Sequence, residues 1–219
     1  MISSQDEMAQ KMYHMFDLTV LENNIWYFEN VLSYPEELLN FINEVDLLEK
    51  SHGSITKWED WISSNKNDHI YGSSKIIKTS NLSQTSGDER LDQKIKYISN
   101  SFIMATEMCF VKYMDGHGLN KDDYDLDLNM IPIRKWNIGE GMGPHCDNQD
   151  GHKGLSFSIV TYLNDDYEGG EIYFPGHGID LKPKAGSLIM FPSVEPYKHG
   201  VSNIKSGSRF MSPISVYKK

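Results

Sequence analysis

Three side chains in the second half of this 219-residue chain have the types and spacing of a metal site: His145, Asp147 and His199. His145 and Asp147 flank a single residue, so along a strand both emerge on the same face and one metal can take both from one edge. A facial ligand set needs a third direction, which must come from a distant strand. His199 lies 52 residues after Asp147, in the run Lys198-His199-Gly200-Val201, and is the candidate. Two imidazoles and one carboxylate hold a transition metal on one side and leave the opposite positions open, the arrangement that suits non-haem Fe(II). A lone His-x-Asp arises by chance in many proteins. The downstream His-Gly-Val, with Arg209 ten residues beyond His199, makes this set far more specific.

Arg209 gives the pattern its second half. A guanidinium on the following strand can pair bidentately with a carboxylate, which a lysine point charge does less well. If the metal chelates a 2-oxo acid through its ketone and first carboxylate, the far carboxylate needs a cation about where Arg209 would stand. 2-Oxoglutarate would be recognised in this way, with the hydroxyls of Tyr162 and Ser158 completing the cradle. Ser156, Ser158, Val160 and Tyr162 share one face of their strand.

Other candidates for chemistry are weaker. His14, His52, His69, His117, His152 and His177 read as surface or loop residues, with His152 and His177 flanking the strands nearest the site. The two cysteines, Cys109 and Cys146, are not closely spaced, which fits neither a disulfide framework nor a thiolate zinc site and points to a reducing compartment. Cys146, between two proposed ligands, would face away from them as a packing residue. Trp58 and Trp61 read as anchors of a loop, one that could also cover the site.

The elements that must position these residues divide the chain. Residues 1–18 are a polar, Met-rich lead-in; 19–125 hold strands, helices and loops; 126–217 hold short strands; the whole reads as one domain. Thr19–Leu32 reads as one or two strands. Ser33, Pro35, Glu36 and Glu37 open a helix to about Leu48, and a second runs from Ser86 to about Met114 on Leu91, Ile95, Ile98, Phe102, Ala105 and Cys109. Residues 49–84 lack clear periodicity and read as a functional loop or a set of short elements. The acidic stretch Asp122, Asp123, Asp125 and Asp127 reads as a solvated loop. After residue 126, candidate strands lie in 126–138, 155–164, 169–175, 178–183, 186–192, 197–204 and 208–217, separated by Gly- and Pro-containing turns. Such a series gives an α+β, mainly β fold: a double-stranded β-helix, or jelly roll, with the two helices on one outer face.

Composition supports a packed enzyme rather than a binder of polyanions. The formal charge of −10 works against loose attachment to nucleic acid or anionic membrane. The N-terminus carries Asp6 and Glu7 and lacks a continuous apolar core, so it does not read as a signal peptide. No run approaches the ~18 apolar residues of a membrane span, and a cytoplasmic location is expected.

Residues 130–217 resemble the 2-oxoglutarate/Fe(II)-dependent oxygenases of the prolyl 4-hydroxylase type. That family's Y-x-x-G-x-x-Y-x-x-H-x-D pattern lies over Trp136, Gly139, Met142, His145 and Asp147. Its Y-L-N strand with a following G-G-E lies over Tyr162-Leu163-Asn164 and Gly169-Gly170-Glu171, and its G-x-L-x-x-F strand over Gly186, Leu188 and Phe191, ahead of His199, Gly200, Val201 and Arg209. The resemblance implies Fe(II) at His145, Asp147 and His199, 2-oxoglutarate and O₂ as cosubstrates, ascorbate as a reductant, and hydroxylation of a prolyl residue in a peptide or protein with release of succinate and CO₂. Trp136 stands where the family often has a tyrosine that hydrogen-bonds 2-oxoglutarate; an indole N–H can donate too, from a different place. Met142 replaces a second tyrosine. The carboxylate of Asp147 argues against a halogenase, in which halide takes that position. Three alternatives stand beside this reading: the same chemistry on a small molecule, oxidative demethylation of nucleic acid, and a jelly-roll binding module without turnover. Nucleic-acid demethylases of this scaffold usually carry a further arginine six residues after the first, where this chain has Ser215. Composition does not address oligomeric state.

Overall fold

In the computed structural model of this chain, residues 16–52, 59–62, 70–78, 89–128, 130–148 and 154–219 are described. A hairpin of β1 (Asp17–Glu22) and β2 (Ile25–Glu29) leads into helix α1 (Pro35–His52); β3 (Glu59–Ile62) and β4 (Ile70–Lys78) precede the long helix α2 (Glu89–Gly116). After a 3-10 turn at Lys121–Asp123 come β5 (Tyr124–Leu126), β6 (Met130–Trp136), β7 (Met142–His145) and β8 (Leu155–Tyr162). The chain ends with β9 (Ile172–Phe174), β10 (Ile179–Leu181), β11 (Leu188–Pro192), β12 (His199–Val201) and β13 (Arg209–Lys218).

Strand composition explains which strands lie where. β8 and β11 are buried almost throughout, so they read as near-continuous apolar runs and take central positions. The larger sheet runs β1-β2-β11-β8-β13-β6-β4-β3, with β5 also on β13; the smaller runs β10-β9-β12-β7. Neighbours in space are distant in sequence and the chain passes repeatedly between sheets, as in a jelly roll. Between the sheets, Val160, Tyr162, Ile189, Phe191 and Met211 meet Ile172 and Phe174. Alternation sends Ile159, Leu188, Met190, Ile214 and Val216 to the other face of the larger sheet.

Residues of the two helices pack on that outer face. In α1, Leu38 and Ile42 fall four apart and are buried; in α2, Ile98, Phe102, Ala105 and Cys109 form the buried stripe. They close over Ile131 and Ile133 of β6, Leu163 and Phe210. Pro35, Glu36 and Glu37 occupy the first turn of α1, where a missing N–H and negative charge are both tolerated well.

Among the described residues of 49–84 the structure gives short elements, one of the two readings above, and elsewhere it departs from the sequence reading. Residues 49–84 contain the end of α1 and the β3–β4 hairpin, and β4 extends the larger sheet by pairing with β6 from Ser73↔Lys135 to Lys78↔Met130. The serine- and lysine-rich run of β4 has no alternation to announce it, and its partner lies far along the chain. Trp61 sits in β3, while Trp58 and residues 1–15 of the lead-in fall outside the described residues. The expected strand over 126–138 splits into the end of β5 and β6, and β7 forms in a Gly-rich stretch not counted as a strand.

Phe28, fully buried at the end of β2 nearest the helices, packs with Phe16 at 5.4 Å and Trp26 at 6.2 Å between ring centroids. Phe28→Ala is expected to lower stability by about 3–5 kcal/mol in urea titration, through lost burial and the cavity left behind. A loss below about 1 kcal/mol would show that this face of the sheet repacks freely.

Candidate active site

Strands β7 and β12 pair antiparallel with His199 opposite His145, and the two rings lie 4.5 Å apart. Asp147 is not on the same strand as His145, as expected, but in the bend just after β7. The bend still returns its carboxylate to the imidazoles: Oδ1 is 3.4 Å from His145 Nε2 and Oδ2 is 3.7 Å from His199 Nε2. One donor atom from each residue lies within 4.8 Å of the others. His145 Nδ1 contacts the Gly143 carbonyl at 3.0 Å and His199 Nδ1 the Tyr197 carbonyl at 3.4 Å. A carbonyl can only accept, so these contacts favour the proton on Nδ1 and leave both Nε2 lone pairs facing the gap. Phe191 and Phe174 wall the His199 ring at 4.6 and 5.7 Å. Nitrogen and carboxylate donors converging on one point, with one side open to a cavity, fit Fe(II).

Burial pushes the His199 imidazole down to about 4, with the Asp147 charge opposing, so it is neutral and ready to ligate. Burial also works against ionisation of Asp147, but His145, His199 and Ser158 outweigh it and hold the carboxyl well below its usual range. For His145, burial favours the neutral ring, yet the hydrogen bonds to Asp147 and to the Gly143 carbonyl prevail and raise it.

At the other end of the cavity stands Arg209, with 0% exposure. It lies opposite Trp136 in the β13–β6 register, with Cζ 5.4 Å from the Trp136 ring and 5.1 Å from the Tyr162 ring. Nε and Nη1 of Arg209, the hydroxyls of Tyr162 and Tyr167 and Nε1 of Trp136 are all buried without a hydrogen-bond partner. A buried cation ringed by unused donors is strongly unfavourable unless an anion fills the gap. Gly170 makes room for it: at φ +68°, a Cβ there would stand 3.2 Å from Arg209 Cδ and 2.9 Å from the Tyr167 ring. The cavity, about 420 Å³, therefore runs from a metal-ligating end to an anion-binding end, with the size and paired functions of a 2-oxoglutarate site.

All seven residues singled out from sequence line this cavity: Trp136, His145, Asp147, Ser158, Tyr162, His199 and Arg209. Ser158 is the one placed differently. Rather than turning to the carboxylate cradle, its hydroxyl donates to Asp147 Oδ2 at 2.5 Å and, its own proton so used, accepts from Ser193 at 2.7 Å. Ser193, Tyr167 and Arg134 were not identified from sequence. Arg134 could have been found, since alternation puts it on the face of Trp136; Ser193 and Tyr167 lie in irregular segments with no such signal. His177 pairs with Glu22 and stacks on Tyr197, His117 contacts the Asn23 and Tyr113 carbonyls, and Cys146 is buried. His152 lies outside the described residues.

Comparison with known proteins agrees with this geometry. Residues 132–214 match the family model of the 2OG-Fe(II) oxygenase superfamily. A PKHD-type hydroxylase of Synechococcus sp. (strain CC9902) is 34% identical over 89 residues, 38% of this chain and 39% of that protein. The chain thus matches about two fifths of that relative's length. Among solved structures, the fold resembles a prolyl hydroxylase from Trichoplax adhaerens in complex with a hypoxia inducible factor oxygen degradation domain peptide fragment (TM-score 0.61, 17% identity, 98% of this chain and 92% of that one). It also resembles the viral collagen prolyl hydroxylase of Paramecium Bursaria Chlorella virus-1, in its 2OG complex (TM-score 0.56, 16% identity, 90% and 97%). The fold, the ligand set and the match over residues 132–214 each resemble the 2-oxoglutarate/Fe(II)-dependent oxygenases. No described helix is long and apolar enough to cross a membrane.

Of the three ligands, only His145 is held in favour of its protonated form. Metal binding must displace that proton, so apparent affinity should rise with pH through the His145 titration and then level off. Mn(II) competition titrations across the imidazole range check this; a flat profile there would contradict it.

Proposed function

We propose that this chain is an Fe(II)- and 2-oxoglutarate-dependent dioxygenase that hydroxylates a C–H bond of a prolyl residue in an extended peptide or protein. The observation that carries the cofactor assignment is the buried Arg209, its Nε and Nη1 without hydrogen-bond partners, at one end of a cavity whose other end holds the His145–Asp147–His199 set. When bound, Fe(II), 2-oxoglutarate and O₂ supply the oxidation: one oxygen atom enters the substrate as hydroxyl, the other enters succinate, and CO₂ leaves.

The residues of the chain bind, orient and exclude. His145, Asp147 and His199 would hold the metal from one side. Ser158 and Ser193 fix the Asp147 carboxylate, and the backbone carbonyls of Gly143 and Tyr197 fix the imidazoles. Arg209 would take the far carboxylate through its planar fork, with Tyr162 and Trp136 placed to donate alongside. Met142, Val160, Ile172 and Met211 line the space between and keep it apolar, which strengthens the charge interactions at both ends. No side chain is required as a general base. A prolyl substrate is supported by the family type and by the named activities of the relatives; proline's fixed φ also makes an extended, low-entropy ligand.

Loss of a bidentate pair to a carboxylate costs about 2–4 kcal/mol, or about 30- to 1000-fold in affinity. Arg209→Ala is therefore expected to raise the 2-oxoglutarate requirement steeply while leaving metal binding nearly intact, and Arg209→Lys to restore it in part. An unchanged 2-oxoglutarate dependence in Arg209→Ala would remove the main support for the cofactor assignment. For the substrate, a panel of proline-containing peptides is expected to yield at least one product heavier by one oxygen in mass spectrometry. Hydroxylation of some other small molecule, with every peptide untouched, would refute the prolyl assignment.

A further inference from the structure

Asp147 is the one ligand with two donor atoms to offer, and its two oxygens stand in different surroundings. Oδ1 faces His145 Nε2 at 3.4 Å and receives no hydroxyl among the described residues. Oδ2 accepts from Ser158 Oγ at 2.5 Å, and Ser158 Oγ lies 2.7 Å from Ser193 Oγ. A carboxylate only accepts, so the Ser158 proton is committed to Oδ2 and Ser193 must donate to Ser158. Both serines are buried, Ser158 in β8 and Ser193 just after β11, which keeps water from competing for the bond between them. The backbone fixes the pair as well. Ser193 N–H donates to the Ser156 carbonyl at 2.9 Å, and the Ser193 carbonyl accepts from Asn148 N–H at 2.9 Å. Asn148 Nδ2 donates to the Leu155 carbonyl at 2.9 Å. The residue following Asp147 is therefore tied to the same segments that carry the two hydroxyls.

We propose that Ser158, backed by Ser193, holds Asp147 Oδ2 off the metal, so that the carboxylate ligates through one oxygen and a coordination position stays open for the cosubstrate. This rests on the oxygenase reading of the site. A carboxylate within reach of an ion can bind it through one oxygen or through both, and the His-x-Asp spacing does not decide between them. Two imidazoles and one oxygen leave a transition metal room for a chelating 2-oxo acid and for O₂; a second oxygen would take one of those positions. To ligate through Oδ2 as well, Asp147 would have to weaken a charge-assisted hydrogen bond from a hydroxyl that is itself aimed by Ser193. Ser158 lines the cavity and Ser193 does not, so Ser193 acts through Ser158. Both are positioning residues, and neither needs to touch the metal.

The test uses the full chain loaded with Mn(II) in the absence of O₂. It reads Mn(II) affinity by competition titration, exchangeable metal-bound water by water-proton relaxation, and 2-oxoglutarate affinity by calorimetry. Ser158→Ala is expected to bind Mn(II) at least as tightly as wild type, to lose about one exchangeable water, and to bind 2-oxoglutarate about tenfold more weakly. Ser193→Ala should shift the same way by less, and Ser158→Thr, which keeps the hydroxyl, should restore wild-type values. Weaker 2-oxoglutarate binding with the water count unchanged would make Ser158 a direct contact of the cosubstrate, and overturns the proposal. Weaker Mn(II) binding with the water count unchanged would reduce the hydroxyl to a prop that steadies Asp147, and overturns it too. So does a variant that matches wild type in every reading. Should Ser158→Ala melt early, Ser193→Ala carries the test, and an unchanged water count in that variant overturns the proposal. If wild type binds Mn(II) but not 2-oxoglutarate, the oxygenase reading falls and the water count still judges the serine pair. Wild type that binds no Mn(II) overturns both.

Discussion

Everything at the site depends on β12 lying against β7 in the register that sets His199 opposite His145. Between the two strands the chain runs through β8 of the larger sheet, β9 and β10 of the smaller and β11 of the larger, so the pair closes only when both sheets exist. Gly200 shows how close that approach is. A Cβ there would stand 2.4 Å from the Tyr173 ring on one side and 2.8 Å from the Met142 carbonyl on the other. The middle residue of β12 therefore has no room for a side chain, and the ligand beside it inherits that tight placement. The unfolded chain holds no version of this site, which couples metal affinity to folding of the whole sandwich.

A second constraint is electrostatic. Arg209 is the largest charged group fully withdrawn from water among the described residues, and two aromatic faces stabilise it. Nearby, Lys182 packs over the Tyr167 ring at 3.2 Å and donates to the Tyr167 and Gly169 carbonyls. Positive charge is thus concentrated behind the anion-binding end, while the ligating carboxylate is at the other end. The polarity of the cavity follows from the strands these residues are on, and it orients a dianion with one head at each end.

Much of this was legible in the sequence. His145, Asp147, His199 and Arg209 declare themselves because few other roles need that combination of types in that order, and the period of two in β8 places Ser158 and Tyr162 on the cavity face. What period alone cannot give is which neighbour crosses the sheet. Ser193, just beyond β11, lies beside Ser158 only because β11 pairs with β8, and this turns the Ser158 hydroxyl toward Asp147 rather than toward Arg209. The β3–β4 hairpin was unreadable for a related reason. Its inner strand, β4, pairs with β6 far along the chain, so no local signal announces it. Asp147 reached the site from a bend, where strand geometry had been assumed, because a short turn and a continued strand can deliver a carboxylate to the same point. Arg134 was visible by alternation with Trp136, but it belongs to no pattern that would have singled it out.

The depth at which Arg209 lies sets the traffic through the cavity. Trp136, Tyr162 and Ile204 seal that end, whereas Asp147, Asp127 and Tyr217 are partly open to solvent. Among the described residues, a molecule gripped by Arg209 reaches solvent past the ligand triad, so an occupant of the cavity mouth stands in its path. The site is a queue with one door: the deep ligand enters first, and what remains of it leaves last. On the proposed function, turnover is then paced by how fast an occupant clears the mouth, so tight binding of a hydroxylated product would slow it even with Arg209 and the metal ligands untouched.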